Sequence, residues 1–500
     1  MKDLRSVDSG ADSSHIPSQQ TYSVSLNPKR LCRPSRSFVR WLIKDWHTHK
    51  YFCFAALLLL LTIITTVAYY LNYLRPELNA DTPAYLHVVD RIQTHPYLLV
   101  DTWRLPGYPL LILLVYALAG QGNLMAVSIA QAVLFILATL EVYILAILLL
   151  RRAWLAFLIG LLVGTNLVLL SYVKPIMSEG LSLWLLITLV LAVTYFIRTV
   201  QVRAFWLIVI CALPLLLTRP EWVYMPVPLF AYLLLVAARR GIGRRLLRHV
   251  LISLALIYAV MGSYIVINSQ LNQYPGLTSI ENFNLMGKVL QYDMQDKAPT
   301  EYAQISRKLD IYVARVGKDP YQILPYIPEL SRDNYAPAGN FARAIIMHNP
   351  IEFLLKSVPV SFSSLTSYYD SSRVSIPGPF EAPLAWLKFI HRVLYNWNAC
   401  FPFCVVIWLL LLCWRRTKSH QTVLEMGAIA LVVLYALIVT TLGGYRFDDY
   451  MRVHIVFGPL LILVVWSSLL MGASLIVQRG PCILAKLTDH AFSSKDTLMQ

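Results

Sequence analysis

Twelve ionisable side chains, Asp81, Asp90, Asp101, Arg104, Lys174, Glu179, Arg219, Glu221, Arg446, Asp448, Asp449 and Arg452, fall in short polar stretches beside long apolar runs. Charge at the edge of lipid is expensive and tends to mark pathways or sites. A carboxylate can take a proton from a nucleophile, and a guanidinium can hold a phosphate oxygen. Acids and cations gathered at one membrane boundary therefore suit a reaction between a group held in the membrane and one approaching from outside. That reading points to an enzyme with a lipid-linked substrate.

Each local motif also has a plain structural reading. Asn79-Ala80-Asp81-Thr82-Pro83-Ala84-Tyr85 predicts a helix start, with Pro83 in the first turn and Asp81 or Thr82 as N-cap. On those residues alone, capping is the better account of Asp81. Arg104-Leu105-Pro106-Gly107-Tyr108-Pro109 turns the chain back into an apolar run, and Arg104 there is either a solvated cation or a phosphate contact. Ser178-Glu179 and Thr218-Arg219-Pro220-Glu221 precede further apolar helices, where Ser can cap and Glu meets the positive end of the helix dipole.

The elements that position these residues are read from composition. Of the 500 residues, 57% are apolar and 14% charged, against roughly 45–50% and 25% in soluble domains. Apolar runs near the ~20 residues that cross a bilayer recur along the chain, which excludes a water-soluble protein and predicts an all-α polytopic membrane protein. Ten spans are expected, near 52–74, 124–150, 154–173, 180–197, 204–218, 222–238, 250–268, 395–414, 422–442 and 453–477. Tyr108–Gly120 is too short to count and predicts an interfacial or re-entrant helix.

The net charge of +16 raises the question of nucleic acid, but its placement answers it. Arg151, Arg152, Arg198, Arg203, the five arginines from Arg239 to Arg248, Arg415, Arg416 and Lys418 share one side of the ten-span topology with no intervening acid. By the positive-inside rule that side is cytoplasmic, so the basic excess sets topology and no nucleic-acid partner is expected. The division expected is a basic tail over 1–50, a transmembrane module over 51–268 with a first outer loop at 75–106, an extracytoplasmic loop domain over 269–394, C-terminal spans over 395–477 and a tail over 478–500. The large loop carries twelve basic and eleven acidic residues and lacks any Asn-x-Ser/Thr acceptor, which favours a bacterial cytoplasmic membrane. The seven cysteines fall in cytoplasmic or membrane segments and predict neither a disulfide framework nor a zinc site.

Taken in order, four motifs carry a resemblance: Asp81-Thr82-x-x-Tyr85, Arg104-x-Pro106-Gly107-Tyr108-Pro109, Ser178-Glu179 and Thr218-Arg219-Pro220. The chain resembles the GT-C superfamily of membrane glycosyltransferases, particularly the branch of dolichyl-phosphate-mannose protein mannosyltransferases and aminoarabinose transferases. It departs from that pattern at Leu105, where relatives often carry a second proline, and at Thr82, where some carry a second acid.

The resemblance implies a GT-C-like fold and transfer of a sugar from polyprenyl phosphate to an extracytoplasmic acceptor: an envelope glycan, a lipid or a protein. By matching position Asp81 is the candidate catalytic aspartate and Glu179 a second acidic contact. Arg104, Lys174, Arg219 and Arg446 are candidates for donor phosphate, and Tyr85, Tyr108 and Asp101 for substrate contact. The resemblance fixes no cofactor, and a divalent cation is compatible with Asp81, Asp90 and Asp101 sharing one loop. Membrane lipids and the polyprenyl-linked sugar are the expected partners. The alternatives are a transporter or flippase, and a polymerase or ligase using a lipid-linked oligosaccharide. A transporter predicts ionisable residues near the midplane of two related halves, whereas only Glu141 and Glu425 lie well inside spans and no internal repeat is visible.

Overall fold

The structure, a computed structural model, describes residues 49–72, 74–95, 98–366, 378–413, 421–445 and 452–473. Every regular element among them is helical. Near the start of the chain run α1 (His49–Asn72), α2 (Thr82–Thr94), α3 (Gly107–Ala119), α4 (Leu124–Leu150), α5 (Ala153–Gly164) and α6 (Leu167–Val173). Then follow α7 (Glu179–Thr199), α8 (Val202–Thr218), α9 (Pro226–Arg239) and α10 (Gly243–Asn272). A smaller unit holds α11 (Ile280–Gln291), α12 (Ala303–Val316), α13 (Ala336–His348) and several single-turn pieces. The chain then continues through α14 (Pro350–Thr366), α15 (Glu381–Tyr395), α16 (Phe401–Cys413), α17 (Gln421–Gly443) and α18 (Arg452–Ala473).

The long helices are apolar along most of their length because lipid leaves no other partner for backbone polar groups than the helix itself. Among the described residues eight helical stretches are long and apolar enough to cross a membrane, or nine if the bent pair α5–α6 is one span. This is a multi-pass membrane-embedded chain. Two of the ten expected spans differ from expectation. The run expected as one span at 154–173 bends by 50° between α5 and α6. There Thr165 Oγ1 donates to the Leu161 carbonyl, and the Asn166 side chain caps α6 by accepting from the amides of Val168 and Leu169. The run at 204–218 forms α8, whose 17 residues fall short of the length for a span. In addition, the last loop-to-span boundary moves: the candidate span Glu381–Cys413 begins inside the segment assigned to the outer loop, before residue 394. The 13 residues of α3 reach about 20 Å, short of the ~30 Å hydrocarbon core.

Hydrogen bonds tie the helices at two ends. At the basic end Tyr51 bonds the Arg151 carbonyl, and Arg198 bridges the Leu148 carbonyl and the Glu425 carboxylate, 2.8 and 2.7 Å away. At the opposite end, called the site end below, Ile176 donates to the Glu77 carbonyl and Tyr435 to that of Glu221. Between these ends one apolar core runs through α1, α4, α5 to α9, α17 and α18. A second core, around Phe283, Met286, Leu309, Ile327 and Phe341, belongs to the smaller unit beyond α10, so part of the large loop does fold around its own interior. Within that core lies Lys288, fully buried, its amine 3.0 Å from the Tyr292 hydroxyl and held down to about 7 by burial.

Helices in lipid gain little from apolar burial against one another and associate through close packing of small residues. Gly160 and Gly164, four apart on α5, supply such a seam. A methyl on Gly160 would lie 2.5 Å from Leu58 Cδ2 of α1, and one on Gly164 would overlap the Thr62 hydroxyl and come 2.8 Å from Thr139 Cγ2 of α4. Gly164→Leu is expected to destabilise the chain by about 1–3 kcal/mol through overpacking. Gly262→Ala, on an open face of α10 with nothing within 4 Å, should be neutral or slightly stabilising. Thermal unfolding in detergent compares the two, and equal melting temperatures would contradict the packing assignment.

Candidate active site

Five separate segments meet at the site end. Asp81 stands immediately before α2, in the N-cap position, and its side chain makes no capping hydrogen bond. The capping role expected from sequence is therefore absent. Thr82 is anchored instead, its hydroxyl accepting from the Asn79 amide and donating to the Ile176 carbonyl at 2.8 and 3.1 Å. That leaves the Asp81 carboxylate aimed at two guanidiniums: Arg104 Nη2 lies 2.6 Å from Oδ1 and Arg452 Nη2 2.5 Å from Oδ2.

From there the charges alternate. Arg452 Nε lies 2.9 Å from Glu179 Oε1, Arg219 Nη1 lies 3.3 Å from the same oxygen, and Arg219 Nε also pairs with Glu221. The sequence of contacts is Arg104, Asp81, Arg452, Glu179, Arg219, Glu221, three cations and three anions. Glu179 forms the floor, its side chain 0% exposed at the N-terminus of α7, while Asp81 and Arg452 are about one-fifth exposed at the rim. Glu179 Oε2 has no hydrogen-bond partner among the described residues. Burial raises the Asp81 carboxyl, but the Arg452 and Arg104 guanidiniums outweigh it and hold Asp81 below its ordinary value.

The remaining sequence candidates divide. Tyr85 and Tyr108 lie under the ion-pair chain, 4% and 0% exposed, with their rings edge-on 4.9 Å apart. Arg104 sits 4.9 Å over the Tyr85 ring, whose hydroxyl donates to Ser178 Oγ at 2.9 Å, while the Tyr108 hydroxyl donates to Gln131. Both rings thus support the charged residues from below. Asp101 pairs with Arg91 at 3.2 Å and accepts from the amides of Trp103 and Arg104 at 2.7 and 3.0 Å. It shapes the loop that delivers Arg104. Gly107, just beyond, lets α3 start against α8, because a methyl there would lie 2.5 Å from Thr218 Oγ1 beside Arg219.

Lys174 does not join the chain of charges. It is buried 5.5 and 5.2 Å from the rings of Tyr69 and Tyr70, and burial lowers its amine to about 8 against the opposing pull of Glu77. Arg446 lies outside the described residues. Arg452, by contrast, was not among the sequence candidates for the phosphate, yet among the described residues it alone pairs with both Asp81 and Glu179. For a divalent cation, the three first-loop aspartates do not converge: Asp81 and Asp101 face arginines and Asp90 is exposed. Among the described residues no group of three or more His, Cys, Asp or Glu side chains is placed to hold a metal. Comparison with protein-family models and with curated proteins gives no match for the chain.

Removing one member of a buried ion pair leaves an uncompensated charge, which costs several kcal/mol; without the Asp81 carboxylate Arg104 loses its acidic partner, while Arg452 keeps Glu179. Asp81→Asn should therefore lower stability by roughly 3 kcal/mol. Because the folded Asp81 pKa is depressed, this contribution is present above the unfolded value of about 4 and is lost as pH falls through the folded value. The double variant Asp81→Asn with Arg452→Gln should recover part of the loss, giving a coupling of about 1–3 kcal/mol in a thermal-unfolding cycle at neutral pH. Additive effects would contradict the pairing.

Proposed function

We propose that the chain is a glycosyltransferase that moves a sugar from polyprenyl phosphate to an acceptor hydroxyl of an envelope glycan, lipid or protein, with inversion at the anomeric carbon. The observation that supports this reading best is the Asp81 carboxylate, withheld from helix capping and forked between two arginines at the rim of a membrane bundle. The order of motifs in the sequence favours the same reading. With α8 and the bent pair both counted as crossings, the described residues cross ten times, which puts the basic turns on one side. The site end then faces away from the cytoplasm, across a bacterial inner membrane.

In the transfer, the acceptor oxygen attacks the anomeric carbon while Asp81 takes its proton, and the bond from that carbon to the phosphate oxygen breaks. The electron pair leaves with the polyprenyl phosphate. Arginines that hold two oxygens at once stabilise the charge that develops there. This reading assigns that role to Arg104, Arg219 and Arg452, which pair with Asp81 and Glu179.

The charge balance of the site constrains how it starts. Three guanidiniums already face three carboxylates, so an arriving phosphate must draw Arg104 and Arg452 away from Asp81. Losing those partners raises the Asp81 pKa toward that of a usable base. Donor binding and base activation are then one event, and a site without donor holds Asp81 ionised but clamped.

Mass spectrometry of the polyprenyl-phosphate lipids in cells with the protein intact, deleted, or carrying Asp81→Asn tests the function. Deletion and Asp81→Asn, at matched amounts of folded protein, should build up the same polyprenyl-phosphate sugar. Transfer by the purified variant should fall by about 10²–10⁴-fold, the usual contribution of a general base. A lipid pool unchanged by deletion would contradict the donor assignment.

A further inference from the structure

The second half of the large loop exposes two apolar stripes that a water-facing domain has no use for. On α14, Ile351, Leu354, Leu355 and Val358 fall at i, i+3, i+4 and i+7 and are exposed, Ile351 by 72%. This is one face of an amphipathic helix. Its opposite face is anchored: Phe353 joins the core of the smaller unit, Lys356 donates to the Tyr292 carbonyl at 2.6 Å, and Ser361 reaches Thr441 Oγ1 of α17 at 3.2 Å.

On α15, Trp386, Phe389, Ile390, Val393 and, just beyond it, Trp397 make a second exposed stripe. Its other face carries Leu384, which belongs to the transmembrane core, and His391, whose Nε2 lies 3.0 Å from Thr165 Oγ1 at the break between α5 and α6. Farther along the same candidate span, Glu381–Cys413, Phe403, Ile407 and Leu410 of α16 are exposed at i, i+4 and i+7.

We infer that α14 and α15 are embedded side by side in the membrane leaflet at the site end, their exposed stripes covered by the acyl chains of that leaflet. Three observations choose lipid over a protein partner. The α15 stripe lies on the same candidate span as the exposed apolar residues of α16, both helices bond to residues of the membrane bundle, and Trp386 and Trp397 are the residue type that gathers at bilayer interfaces. α14 and α15 are thus part of the membrane bundle, and the water-facing part of the large loop is the unit built on α11 to α13.

Spin labels at single cysteines in the full chain, with the native cysteines replaced, read this directly in vesicles of phosphatidylethanolamine and phosphatidylglycerol. Labels at Leu355→Cys, Trp386→Cys and Val393→Cys should relax with oxygen in preference to a water-soluble nickel chelate, to the same degree as a label at Leu410→Cys. A label at Lys318→Cys, exposed on the smaller unit, should show the reverse preference. Nickel-accessible labels on either α14 or α15 would overturn the inference, and so would labels shielded from both agents, which would indicate a protein surface covering the stripe. Each labelled chain is first checked for a single elution peak by gel filtration, so a variant that fails to fold is replaced by its neighbour on the stripe, Leu354→Cys or Ile390→Cys.

Discussion

An alternating chain of three arginines and three carboxylates at one end of an apolar bundle is the constraint on which the rest of the structure depends. A charge taken out of water is tolerated only when it is paired and its geometry is held. Here the pairing joins residues as far apart in sequence as Asp81 and Arg452, and Glu179 at its floor is fully buried. Four of the six members are delivered by helix ends: Asp81 before α2, Glu179 opening α7, Arg219 closing α8 and Arg452 opening α18. The helix crossings behind them must therefore place four ends within one cluster, and the small residues Gly107, Gly160 and Gly164 are where that requirement tightens the packing.

The same chain of charges explains the division of labour around it. Tyr85 and Tyr108 fill the space beneath, Asp101 and Arg91 brace the loop that carries Arg104, and the polar turn from Lys174 to Ser178 is buried under the first loop. Both Asp81 oxygens are already held by arginines, so under the proposed function another anion must compete for those arginines. A phosphate is suited to that competition because it offers several oxygens to the arginines that now bind Asp81 and Glu179. The rigidity of the resting site and its readiness to act thus have one origin.

Much of the arrangement was legible in the sequence, for physical reasons that stop at identifiable residues. Asp81, Arg104, Glu179 and Arg219 announce themselves because each is a charge beside Pro, Gly or Ser at the mouth of an apolar run. Arg452 has no such motif around it. Its only signal was membership of the charged boundary set, and its role depends on a long-range contact that local pattern cannot carry. Lys174 bears the same local signal as Arg104 but turns between two tyrosines. The break at Thr165 and Asn166 was visible as two polar residues inside an apolar run, and hydropathy averaged it away. The exposed stripes of α14 and α15 were hidden for a related reason: amphipathic helices of mixed composition look like an ordinary folded loop until their packed faces are known.

If the ion-pair chain opens to take a phosphate and thereby frees Asp81, a structure of the full chain in lipid discs loaded with polyprenyl phosphate will show it. Phosphate oxygens should lie within hydrogen-bond distance of Arg104 and Arg452, at about 2.7–2.9 Å, with the Asp81 carboxylate released from both. Lipid phosphate bound elsewhere, with Asp81 still forked between the two arginines, would contradict it.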